Sequence, residues 1–159
     1  MTRRYWLTLV LFTMPVVGYA GGAETKPQTV LFLCPYGGAK SVIAASYFNR
    51  LAQEQSLPYV AVAAAAEEPY DAVPAAVAAF LEQEGFDVRA FKPRKVSAED
   101  VEAAARIVTI DCKSESVPAA SVAIERWDDV PKVSVDLEVS TAAIRTHVEA
   151  LAAELRESP

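Results

Sequence analysis

The chain has 159 residues, 52% of them apolar and 23% charged, with a formal net charge of −6. That apolar share supports a packed core in a single domain and excludes disorder as the default state. The acidic balance excludes attraction of nucleic acid or an anionic membrane through the overall field, so any anion site has to be local.

Residues 1–23 stand apart. Arg3 and Arg4 form a basic start, residues 5–17 are apolar, and Gly18-Tyr19-Ala20 and Gly21-Gly22-Ala23 each place small residues around a cleavage point. This is the pattern of a secretory signal peptide. The apolar run is shorter than the roughly 20 residues that a membrane span needs, and Pro15 interrupts it. Export to the periplasm is expected, with no membrane attachment after cleavage. Loss of the leader removes two arginines and no acid, taking the formal charge from −6 to −8. The cysteines, Cys34 and Cys112, both lie beyond it, where a single disulfide can form.

Residues 24–28 read as a short polar tether, and residues 29–156 as the folded domain. Residues 29–33 (TVLFL) are continuously apolar, as in a strand buried on both faces. A small-residue loop follows, and then residues 41–55 show helical spacing through Ile43, Ala44, Tyr47, Phe48 and Leu51. Residues 59–65 form a second strand. Pro74 opens and Gly85 closes a second helix. Ser97, with Asp100 three residues on, starts a short helix that is expected to run to Ala105. Residues 107–110 and 122–127 are third and fourth strands, and residues 141–155 a closing helix. Strands alternating with helices indicate an α/β fold of three layers, a four-stranded, mainly parallel sheet with helices on both faces. Sites in such folds lie beyond the carboxyl ends of the strands. Cys34 follows the first strand, and Asp111 and Cys112 follow the third.

The chemistry concentrates in Cys34-Pro35-Tyr36-Gly37-Gly38-Ala39-Lys40-Ser41. Between a buried strand and a helix, the N–H groups of such a loop form a nest for a tetrahedral oxyanion, with the helix N-terminus adding its own donors. A cysteine at that place is a nucleophile for phosphorus or arsenic. A nucleotide-binding G-x-x-x-x-G-K-[ST] loop does not fit, because Cys34 and Ala39 stand where both glycines belong. His147, the only histidine, sits mid-helix and reads as structural. No spacing of His, Cys and carboxylates suggests a metal site, and no cofactor is implied.

The loop resembles the C-x5-R-[ST] loop of the low-molecular-weight protein tyrosine phosphatases and their arsenate reductase relatives. VLFLCPYGGAKSVIAASYFNRLA is similar to that family's opening strand, loop and helix. AAAAEEP (63–69), VPAAVAAFLEQEGFDV (73–88), AARIVTID (104–111) and ERWDDVPKV (125–133) are similar, in order, to its later segments. The resemblance implies a phosphorylated or small-oxyanion substrate, with Cys34 as nucleophile and Ser41 bonded to its sulfur. It also implies an anion cradle made by residues 35–41. Two departures stand out. Lys40 occupies the arginine position, and a lysine offers a point charge where arginine offers a planar fork. The family's general acid, an aspartate followed by proline, has no counterpart, so Asp128 and Asp129 are the candidates, with Asp136 nearby. Weak or lost Cys34-dependent activity is therefore expected. Two alternatives remain, a non-catalytic oxyanion-binding domain and a thiol redox protein using Cys34 and Cys112. The family fold sets the first and third strands side by side, which would bring those two cysteines to one sheet edge and within reach of a disulfide. Oligomeric state is not legible.

Overall fold

The apolar run becomes β1 (Gln28–Cys34), which starts inside the expected tether and is buried from Val30 to Cys34. The computed structural model describes residues 26–157, so the expected signal peptide lies outside the described residues. β1 sits inside a four-stranded sheet with β2 (Tyr59–Ala65), β3 (Ala104–Ile110) and β4 (Ile124–Trp127), in the order β2-β1-β3-β4. All three pairings are parallel. A strand bonded along both edges and covered on both faces has nowhere to hold a charge, and β1 carries none.

The two faces of β1 feed two cores. Val30, Phe32 and Cys34 pack with α1 (Lys40–Glu54), α2 (Ala75–Gln83) and α4 (Leu137–Glu157) through residues such as Phe48, Leu81 and Ile144. Leu31 and Leu33 face the other way, onto Val101 of α3 (Ala98–Ala103), Val96 and Ile107. The first core is the larger. At its centre the Phe32 ring lies 5.8 Å from Phe48 and 5.5 Å from Trp127. Among the described residues, no helix is long and apolar enough to cross a membrane.

The boundaries shift for identifiable reasons. α3 begins with the expected capping box of Ser97 and Asp100, but it stops at Ala103, not at Ala105. Ala104 pairs with Thr29 instead, and β3 starts there, earlier than residue 107. Sheet pairing overrides alanine's helix preference at this point. β4 starts at Ile124, not at residue 122. α4 starts at Leu137, ahead of residue 141, because the Asp136 carboxylate accepts the Val139 N–H at 2.9 Å.

Phe32→Ala is expected to cost about 3–5 kcal/mol, the usual range for emptying a buried phenylalanine site. The half-exposed Val60 on β2 should cost under about 1 kcal/mol on truncation to alanine. Urea unfolding followed by far-ultraviolet circular dichroism checks both.

Candidate functional site

β1 delivers Cys34 as its last residue, and residues 35–39 turn the chain into α1. The turn is gripped from outside. The carbonyls of Cys34, Pro35 and Tyr36 accept the N–H groups of Ala66, Glu67 and Tyr70 at 2.9, 2.9 and 3.1 Å. With those carbonyls engaged on the β2 side, the backbone N–H groups of residues 38–41 make no close hydrogen bond to a protein acceptor among the described residues. No side chain caps α1, whose N-cap is Ala39, so its first-turn donors stay open too. Gly37 makes the turn possible. Its φ is +65°, and a Cβ there would stand 2.6 Å from the Ala65 nitrogen. Below the turn, Cys34 Sγ lies 3.1 Å from Ser41 Oγ, with both residues buried.

Lys40, expected to reach into the loop, is held by the protein. Its ammonium donates to the Val130 carbonyl at 2.9 Å and to Asp111 Oδ2 at 3.2 Å, and the residue is only 6% exposed. Asp111 follows β3 and arrives beside the loop because β1 and β3 are parallel neighbours. Over Cys34 opens a cleft of about 490 Å³. Tyr36 and Tyr70, stacked at 4.8 Å between ring centroids, line one part of it, and Lys132, Val133 and Ser134 line another. A smaller cavity of about 260 Å³ lies by α1 and α4, near Tyr47 and Arg145, and holds no cysteine. Among the described residues no group of His, Cys and carboxylates is placed to hold a metal ion.

A family profile described as low molecular weight phosphotyrosine protein phosphatase matches residues 29–134. The chain belongs to this family. Comparison with curated proteins finds no significant sequence match. Among solved structures, YfkJ from Bacillus subtilis is similar at a TM-score of 0.70 and 21% identity, over 85% of this chain and 98% of that one. An arsenate reductase from Archaeoglobus fulgidus is similar at 0.58 and 27% identity, over 78% and 98%. The YwlE arginine phosphatase from Geobacillus stearothermophilus is similar at 0.65 and 18% identity, over 82% and 94%.

The two candidate acids, Asp128 and Asp129, stand outside the lining of the cleft. Asp128 pairs with Arg126 at 3.0 Å. Asp129 meets His147 Nε2 at 2.9 Å, and that imidazole stacks on Trp127 at 4.8 Å. Both aspartates are exposed and neither lines the cleft. The residue of this segment that does line it is Lys132, a cation. His147, read as structural, thus has a definite charged partner. Sequence reasoning placed Asp111 at the right sheet edge without assigning it a role, and it passed over Lys132 and Tyr70. Nothing local marks those two, since the cleft is built from segments far apart in the chain.

The disulfide that the redox alternative allows is not formed, and Cys34 and Cys112 are both free. They share a sheet edge, as the topology implies, but belong to opposite cores. Val108 and Ile110 face the core of Cys34, so strict alternation would send residue 112 there as well. Asp111 breaks the alternation with a left-handed φ of +57°, and Cys112 packs beside Leu31 and Leu33 instead. Burial, with a smaller contribution from nearby Cys34, pushes the Cys112 thiol up to about 12.

The protonated Cys112 thiol should resist alkylation. At pH 8, iodoacetamide is expected to label Cys112 in the native protein at least about tenfold more slowly than a cysteine peptide, judged from thiolate fraction. Peptide mass mapping reads this. Gly37→Ala should destabilise the fold by about 2–5 kcal/mol, combining left-handed strain with the clash at Ala65. Chemical denaturation measures that cost.

Proposed function

We propose that this domain binds a phosphate- or arsenate-type oxyanion at residues 34–41 and supports at most slow Cys34-dependent turnover. One observation carries the reading. The carbonyls of the turn are engaged on its β2 side while its amides are left open over a buried Cys34–Ser41 pair. Amides left open at a cleft are met by water or by a ligand, and an oxyanion satisfies several at once. Cys34 is then placed for attack on phosphorus, forming an S–P bond and expelling the ester oxygen.

The weakness lies in the next requirement. The departing oxygen needs a proton, and the carboxylate lining the cleft, Asp111, is bound to the Lys40 ammonium. Loss of a positioned general acid typically removes about 10²–10⁴-fold in rate. Release of 4-nitrophenol, which leaves without help, should therefore outpace release of phenol from phenyl phosphate by a wide margin. Cys34→Ser should abolish both reactions, and Asp128→Asn or Asp129→Asn should change neither. Inorganic phosphate or arsenate should bind in calorimetry. Absence of binding by both anions would overturn the reading. The redox alternative finds less support, since the sheet separates the cores of Cys34 and Cys112.

We also propose that residues 1–23 are a cleaved leader and that the domain works in the periplasm, on the strength of the basic start and short apolar run. N-terminal sequencing of protein from the producing cell should begin at Gly21 or Glu24. Recovery of Met1 on intracellular protein would overturn this.

A further inference from the structure

Of the charged side chains that line the cleft, Lys40 and Asp111 neutralise each other, which leaves Lys132. Its ammonium makes no hydrogen bond or ion pair among the described residues. Its backbone, in contrast, is tied on both sides. The preceding Val130 is buried and its carbonyl accepts from Lys40 at 2.9 Å. The Pro131 carbonyl accepts from the buried Ser140 hydroxyl at 3.0 Å. The carbonyl of Lys132 itself accepts the N–H groups of Val135 and Asp136 at 2.9 and 3.3 Å. A free cation is thus presented to the cleft from an anchored loop.

That loop is separate from the turn that offers its amides. An oxyanion seated over Cys34 occupies a small part of a cleft of about 490 Å³. The rest of the cleft is lined on one side by Tyr70 and the start of α2 and on another by Lys132, Val133 and Ser134, so a substituent on the oxyanion has room to run past Lys132. The acids on the neighbouring strand end, Asp128 and Asp129, are paired with Arg126 and His147 and do not compete for Lys132. Lys132 is exposed, and an ammonium at the rim of the cleft favours a negative group and disfavours a positive one.

We propose that Lys132 is a specificity-determining residue that selects ligands carrying a second anionic group, a carboxylate or a further phosphate, beside the oxyanion held over Cys34. The inference rests on the oxyanion reading above.

The test compares three ligands of one shape, phenyl phosphate, 4-carboxyphenyl phosphate and 4-(aminomethyl)phenyl phosphate. Each is titrated calorimetrically into the Cys34→Ser variant, with inorganic phosphate titrated into the unsubstituted protein as reference. The carboxylate ligand should bind about fivefold more tightly than phenyl phosphate, and the amine more weakly, the scale of a partly exposed charge pair. Lys132→Ala should erase the carboxylate preference while phosphate affinity stays within about twofold, Lys132→Arg should keep it, and Lys132→Glu should reverse it. An unchanged preference in Lys132→Ala overturns the inference. So does an equal loss for all ligands, which would place Lys132 on the oxyanion itself. Failure of inorganic phosphate to bind the unsubstituted protein instead overturns the underlying oxyanion reading.

Discussion

The ammonium of Lys40 joins three segments that are remote in sequence. It starts α1, reaches Asp111 beyond β3, and reaches Val130 beyond β4. A nearly enclosed lysine without partners would carry a heavy desolvation cost, so these acceptors are a condition of the arrangement. Asp111 is half exposed, and solvent screening holds that pair to about 1 kcal/mol or less. The geometric consequence is larger than the energetic one. The clamp fixes the loop after β4 against the loop after β1, and the cleft is the space left between them.

The parallel sheet supplies the rest. Adjacent parallel strands end at one edge, so the register Leu33 with Thr109 brings Cys34 and Asp111 to the same place. The turn after β1 then needs support for its carbonyls, and the chain after β2 provides it through Ala66, Glu67 and Tyr70. Those bonds hold the turn while the amides of residues 38–41 make no close bond to protein among the described residues. In a protein of net charge −6, the proposed anion site would draw on these backbone dipoles rather than on the overall field.

The same clamp sets the loop apart from the arginine pattern that it resembles. A cation fastened to Asp111 is not free to grip an oxyanion with parallel bonds as an arginine would. The aspartates after Trp127 are diverted to Arg126 and His147, and the side chain offered to the cleft is an ammonium. The proposed function follows from this contrast: Cys34, Ser41 and the turn match the family loop, while Lys40 and the aspartates after Trp127 are engaged elsewhere.

What the sequence determined by itself is the local architecture. The uncharged run at residues 29–33, the Ser97–Asp100 capping box and the helical stripe of Ile43, Tyr47 and Phe48 each declare an element through short-range periodicity and backbone satisfaction. The loop from Cys34 to Ser41 was legible for the same reason, since strand, glycine turn and helix are contiguous. The tertiary structure decided where side chains end up. Lys40 meets partners 71 and 90 residues away. A single left-handed residue, Asp111, sends Cys112 to the far side of the sheet. Lys132 rather than Asp128 or Asp129 turns to the cleft because Val130, Pro131 and Ser140 anchor its loop. Periodicity carries no record of such long-range acceptors, because each depends on where other segments place a carbonyl or a carboxylate.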